Sequence, residues 1–144
     1  DRLYGRAGDD FLYGQLGVDA IYGNSGVDTM TGGTGDVRDR FIYFQLTDSG
    51  VGAGNRDIIT DYQAGIDRIE ISRLDANTVG GGGNDVFDFI GAAAFSNTAG
   101  ELRYEQDAVN GVTIIQADTD GDGLSDFEIE LTGVMTLDAG DFLL

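Results

Sequence analysis

Aspartate stands at positions 1, 10, 19 and 28, and glycine recurs between these carboxylates at 5, 14, 23 and 32 and again at 8, 17, 26 and 35. A short carboxylate at fixed spacing among glycine-rich bends presents clustered oxygens, the donor set of a hard cation. Other site chemistry is excluded by composition. The 144 residues include no His, Cys, Lys, Pro or Trp. A zinc centre of the His/Cys type, a Ser-His-Asp triad and a Cys nucleophile therefore cannot be built.

The charge balance points the same way. Twenty-one Asp and five Glu oppose eight Arg, giving a formal charge of -18. Nucleic acid and anionic membrane both need dense cationic surface, so neither is an expected partner. No run approaches the ~20 apolar residues of a membrane helix, and no signal-peptide pattern opens the chain. Because the first residue is Asp1 rather than Met, the chain is expected to be part of a longer protein. A hydrophobic share of 41% with 10% aromatics indicates a folded state despite the charge. The excess of Asp over Glu suits tight turns lined with oxygen, since Glu prefers helices.

The repeat runs in nines without a gap from Asp1 to Gly35, with Gly in the first and fourth places and Asp in the sixth. Leu3, Leu12, Ile21 and Met30 fill the eighth place. Two Gly per repeat permit the positive φ of a half-turn, and the triplet around the eighth place is a minimal strand with one side chain pointing inward. Two repeats make one coil of a flattened parallel roll, so alternate loops stack on one edge about 4.8 Å apart. Like charges at about 4–5 Å repel by roughly 1 kcal/mol in water and by more at a protein surface. A strip of single aliphatic side chains is too thin to offset that repulsion and the backbone entropy. A cation between the loops reverses the sign, and calcium suits flexible, all-oxygen shells better than magnesium does.

On one edge, Gly5, Arg6, Gly8 and Asp10 then stack with Gly23, Asn24, Gly26 and Asp28. On the other, Gly14, Gln15, Gly17 and Asp19 stack with Gly32, Gly33 and Gly35. Asp1 ends a partial loop against 14–19. Val37 occupies the expected Asp place of the last loop, and a two-residue insertion gives that role to Asp39, since Asp39-Arg40-Phe41 restores the order. Tyr4, Tyr13 and Tyr22 in the ninth place face outward, either covering a thin sheet or offering a sugar-stacking platform.

Beyond Phe41 the pattern changes to strand signals. Asp57–Tyr62 and Asp67–Ile71 read as a hairpin around Gln63-Ala64-Gly65, and Phe87–Phe95 as a short helix. Glu101–Tyr104, Gly111–Ile115 and Phe127–Leu131 read as an antiparallel sheet that covers the open end of the roll. Asp118, Asp120, Asp122 and Asp126 with Gly123 resemble the start of an EF-hand-like calcium loop, but Ile129 stands where that motif requires Glu. The other reading is a hairpin turn. Asp57, Asp61 and Asp67 are further candidates to close a site against loop 23–28.

The nonapeptides resemble RTX calcium-binding repeats. Together with Arg56–Tyr62, Gly65–Ser72, Phe89–Ser96, Gly100–Tyr104 and Asp122–Phe127, they resemble the C-terminal region of serralysin-type metalloproteases and related RTX exoproteins. The resemblance implies an all-β fold, a parallel β-roll over 1–43 followed by a β-rich cap over 44–144. It also implies calcium held by sixth-place Asp and loop carbonyls, and export by a Gram-negative type I ABC system to the extracellular medium. Asp141-Phe142-Leu143-Leu144 resembles that family's terminal export signal. The family's zinc motif has no counterpart. Related modules are attached to proteases, lipases, mannuronan epimerases and surface proteins, so an upstream domain is an expected partner. The leading reading is a non-catalytic module that folds on calcium. The competing ones are a polysaccharide-binding module and an autonomous enzyme with paired carboxylates.

Overall fold

Five of the seven strands of the roll are three residues long, because a single inward side chain flanked by two outward ones is all that each Asp-x-aliphatic triplet supplies. A computed structural model describes residues 1–144. Its strands are β1 (Arg2–Ala7), β2 (Phe11–Tyr13), β3 (Ala20–Ser25), β4 (Thr29–Thr31), β5 (Arg40–Ile42), β6 (Asp57–Ile59) and β7 (Arg68–Glu70). They continue with β8 (Asp88–Phe89), β9 (Glu101–Asp107), β10 (Val112–Asp118), β11 (Phe127–Thr132) and β12 (Phe142–Leu143). The only helical pieces are single 3₁₀ turns at Leu46–Asp48 and Ala139–Asp141. No helix is long and apolar enough to cross a membrane.

Two sheets face each other. The first runs β1-β3-β5-β7-β12 and the second β2-β4-β6-β11-β10-β9-β8. All pairings within the first are parallel, as are β2–β4, β4–β6 and β6–β11 in the second. The chain alternates between sheets from β1 to β7, which is the parallel β-roll expected from the repeat. Eighth-place residues meet in the interior: Ile21, Met30, Phe41, Ile59 and Ile69 are fully buried and join one cluster with Ile115, Phe127, Ile129 and Phe142.

The roll outlasts its glycine repeat. β5 pairs with β7 and β4 with β6, so the parallel ladders pass through the boundary at 43/44. The expected hairpin between 57–62 and 67–71 does not form, because β6 and β7 belong to opposite sheets. The reason lies in the triplets Asp57-Ile58-Ile59 and Asp67-Arg68-Ile69. Each repeats the Asp-x-aliphatic order, and their inward residues align with Met30 and Phe41 of the preceding coil.

The short helix expected over 87–95 is also absent. Phe89 lies in β8, parallel to β9, with its ring 5.0 Å from Phe142 and 6.3 Å from Tyr104. Gly91 follows at φ +67°, which ends regular structure there. The antiparallel sheet β9-β10-β11 forms as expected, in register from Val112↔Thr132 to Ala117↔Phe127. It covers the roll by adding β11 to the edge of β6, while β12 does the same for β7.

Candidate metal centre: two carboxylate ladders

The sixth-place aspartates form a one-way ladder on each edge of the roll. On one edge the Asp10 amide donates to Asp28 Oδ1 at 2.9 Å, and the Asp28 amide donates to Asp57 Oδ1 at 2.8 Å. On the other, the Asp19 amide donates to Asp39 Oδ1 at 2.8 Å and the Asp39 amide to Asp67 Oδ1 at 2.9 Å. Asp39 therefore takes the sixth place after the insertion. Asp1 extends this edge: its carbonyl accepts the Ala20 amide, and its amino group donates to Asp19 Oδ1 at 2.6 Å.

Asp28, Asp39 and Asp57 each give one oxygen to the amide of the preceding coil, whereas Asp67 uses both, its Oδ2 accepting the Gln63 amide at 2.9 Å. Asp10, Asp19, Asp28 and Asp57 each have a buried Oδ2 with no hydrogen-bond partner. An unpaired buried carboxylate oxygen is costly, so a compensating charge is called for. The space in front of these oxygens is kept open by the first-place glycines. A Cβ on Gly5 would lie 2.7 Å from the Gly23 carbonyl oxygen and 3.0 Å from Asp10 Oδ2. On Gly14 it would lie 2.7 Å from Asp19 Oδ2, and on Gly32 2.6 Å from Asp39 Oδ2. The crevice is bounded by a loop's own carboxylate and by a carbonyl of the loop stacked on it. These residues fit an all-oxygen divalent cation.

The left-handed backbone falls at only one of the two expected glycines. It occurs at the second place, in Arg6 (φ 82°), Gln15 (φ 75°), Asn24 (φ 64°) and Gly33 (φ 127°), and at the fourth, in Gly8, Gly17, Gly26 and Gly35. First-place glycines do not share it; space, not φ, requires them. Arg6 and Gln15 hold a conformation costly for side chains of their kind, a strain of the sort found at ligand clamps.

Burial raises the proton affinity of the ladder. It pushes Asp57 up to about 8, with Asp28 adding to the effect. Asp28, Asp39 and Asp67 are raised for the same reason, and adjacent carboxylates reinforce it: Asp10 at Asp28, Asp67 and Asp19 at Asp39, Asp61 at Asp67. Beside Asp57, burial drives the Tyr43 phenol well above its usual range, and its hydroxyl lacks a hydrogen bond of ordinary geometry.

Of the three later candidates, only Asp57 faces loop 23–28. Asp67 serves loop 32–39, and Asp61 accepts the amides of Gly32 and Gly33, both at 2.8 Å. In loop 118–126 the carboxylates of Asp118, Asp120 and Asp126 come within 4.8 Å of one another, while Asp122 stands outside this group. Asp118 is occupied by the Gly121 and Gly123 amides, Asp126 by Thr119, and Asp122 by the Leu124 amide. Those bonds build the turn that joins β10 to β11.

Two features have no motif in the sequence. Asp48 is buried and accepts the Phe44 and Gln45 amides. Arg56 forks onto Glu130 at 2.7 and 2.9 Å and reaches Glu128 at 2.9 Å, fixing β11 against the start of β6. Burial pushes Glu128 up, but bonds from the Gly52 amide, Gln116, Arg56 and Ser125 more than offset it and hold its carboxyl below the ordinary range. The only prior signal was Glu at alternate positions of β11.

Parallel coils with stacked Asp-Gly loops on both edges define a repeat module of the β-roll class. The chain belongs to the family described as peptidase M10 serralysin C terminal, whose model matches residues 5–144, and it is a calcium-binding β-roll module. Among solved structures it is similar to the AlgE6R3 subunit of the mannuronan C5-epimerase from Azotobacter vinelandii, at TM-score 0.64 and 24% identity over 96% of this chain and 79% of that one. It is also similar to the AlgE6R2 subunit of that enzyme, at TM-score 0.52 and 24% identity, covering 100% of this chain and 92% of the other.

Proposed function

We propose that this chain is a non-catalytic, calcium-triggered folding and export module of a larger secreted protein. The observation that carries this reading is the row of orphaned, buried Oδ2 atoms at Asp10, Asp19, Asp28 and Asp57, each on a ladder of like charges. Calcium would supply the positive charge that lets these carboxylates stay ionised inside the folded loops. Asp10, Asp28 and Asp57 would hold it on one edge; Asp19, Asp39 and Asp67 on the other, with carbonyls of Gly23 and Gly32 among the further oxygens. Asp1 belongs to the same edge as Asp19. In loop 118–126, Asp118, Asp120 and Asp126 serve the turn first.

In a calcium-poor cytosol the -18 chain repels itself and stays unfolded, which suits a type I ABC exporter. Asp141 and Phe142 are buried in the fold, so an exporter reading the terminal residues would do so on the unfolded chain. In the calcium-rich extracellular medium the loops fill, and occupancy adds stability by mass action. The upstream partner would be a protease, lipase, epimerase or surface protein.

Circular dichroism tests the reading. Strand signal should be small in chelator and rise cooperatively toward millimolar calcium. Equal strand content in both conditions, with equal resistance to denaturant, overturns it.

A further inference from the structure

The hairpin that joins β9 to β10 turns on Asn110-Gly111, the one Asn-Gly pair among the six asparagines of the chain. Both residues are exposed, and Gly111 stands at φ +70° with open space where a Cβ would lie. The turn is clasped by Asp107. Its Oδ1 accepts the Val109 and Asn110 amides at 3.1 and 3.0 Å, and its Oδ2 accepts the Asn110 side-chain amide at 2.6 Å. The Gly111 amide is left out of this clasp and donates to no other group of the protein. The two Asp-Gly pairs of loop 118–126 are held differently. There the Gly121 amide donates to Asp118 Oδ1 at 2.6 Å and the Gly123 amide to Asp118 Oδ2 at 2.8 Å.

We infer that Asn110 is a modification site, at which the folded protein converts asparagine to aspartate and isoaspartate without an enzyme. The Gly111 nitrogen gives its proton to solvent base and attacks Cγ of Asn110. The N–Cγ bond forms, the Cγ–Nδ2 bond breaks, and Nδ2 takes a proton from water and leaves as ammonia. Water then opens the five-membered imide. Addition at Cγ yields aspartate, and addition at the main-chain carbonyl carbon yields isoaspartate, whose backbone runs through the former side chain. The attack needs a nitrogen with no hydrogen bond to give up and no Cβ beside it, and Gly111 supplies both. The other five asparagines precede Ser25, Arg56, Thr78, Asp85 and Thr98, which all carry a Cβ. The Thr78 and Asp85 amides are moreover bonded to Thr119 and Asp75. At Gly121 and Gly123 the nitrogen is committed to Asp118, so the fold protects Asp120 and Asp122 from the same cyclisation. The product undoes the clasp. A carboxylate replaces the donor that lies 2.6 Å from Asp107, in a hollow these two residues share with Arg56 and Glu130. Attraction turns to repulsion beside Val112↔Asp107, the pair that closes the β9–β10 ladder. The inference goes beyond the folding role and requires only that the antiparallel sheet be formed.

The test is to age the full chain at pH 8, folded in one sample and in denaturant in another, and to map both by peptide mass spectrometry. Folding is checked by circular dichroism at whatever calcium level gives it. A chain that folds without calcium therefore sinks the calcium reading and leaves this test in force. In the folded sample, conversion at Asn110 should outrun that at every other asparagine by about tenfold, a barrier lower by about 1.4 kcal/mol. It should slow at pH 6, because the nitrogen must lose its proton before it attacks. Isoaspartate should form at position 110 and not at 120 or 122 while the protein is folded, and at all three in denaturant. Asn110→Gln, which would have to close a larger ring, should stay unconverted. Aged wild type and Asn110→Asp should unfold at lower denaturant concentration than fresh wild type, whereas aged Asn110→Gln should unfold where it does when fresh. If Asn110→Asp fails to fold, the fall of the wild-type midpoint with age decides. An Asn110 that stays intact in the folded protein overturns the inference. So does equal conversion at another asparagine, isoaspartate at 120 or 122 in the folded sample, or a converted protein as stable as the fresh one.

Discussion

At Asp28 two oxygens of one carboxylate have separate employments: Oδ1 takes the Asp10 amide, and Oδ2 has no protein partner. Replacing Asp28 by Asn keeps an acceptor for the amide and removes the charge. In chelator Asp28→Asn should therefore keep more strand signal than the wild type, while its calcium midpoint shifts to higher concentration. Calcium titrations followed by circular dichroism check both signs. Proton linkage works through the same groups. Because Asp57 is raised to about 8 and Asp28, Asp39 and Asp67 are raised too, the calcium-free fold holds protons that the unfolded chain has released. Its stability should fall as pH rises from the ordinary carboxylate range, about 4, to about 8. Calcium affinity should run the other way and weaken on acidification, since protons and the ion compete for the same oxygens. Calcium titrations at pH 5 and pH 8 read this directly.

Among the elements, β11 depends most on one residue outside the hydrophobic core. Arg56 supplies the positive charge for both Glu128 and Glu130, whose side chains are 6% and 19% exposed. Arg56→Ala leaves an uncompensated buried carboxylate and should cost about 3–5 kcal/mol in calcium-saturated denaturation. Ile59→Ala, at the end of β6 and fully buried, should cost about 2–5 kcal/mol by leaving a cavity. These elements differ in how far the sequence announced them. The nonapeptides disclosed β1 to β4, their register and the stacking of their loops, because glycine and aspartate are each required there by geometry. β6 and β7 kept the Asp-x-aliphatic triplet but not the pair of first- and fourth-place glycines, and two alternating runs around Gln63-Ala64-Gly65 then look the same as a hairpin. Local pattern cannot tell pairing between neighbours from pairing with the coil below; only the fit of Ile59 on Met30 and Ile69 on Phe41 decides. The Arg56 network was hidden for a related reason, since its partners lie more than seventy positions away.

For the whole molecule, hydrophobic burial and charge act against each other. The interior is one cluster of 20 buried residues, thin in the first coils and thicker where the roll meets β9–β11. Leu3 and Leu12 are only partly buried, whereas Ile115, Phe127 and Ile129 are fully so. As calcium is drawn down toward the folding midpoint, the antiparallel end should keep slow amide exchange after β1 to β4 have lost theirs, a gradient that residue-resolved hydrogen exchange would display. Calcium should flatten that gradient.

The ladders also have a direction. Each carboxylate reaches back to grip an amide of the coil before it: Asp57 grips Asp28, Asp28 grips Asp10, Asp67 grips Asp39 and Asp39 grips Asp19. Injury is therefore transmitted asymmetrically. Excising a leading coil merely hands a carboxylate to water, which solvates it well, but excising a trailing coil orphans the amide ahead of it and loosens every predecessor in turn. Shortened variants trimmed from opposite ends by equal lengths ought not to be equivalent. Order in this protein should propagate toward the beginning of the chain from its far end.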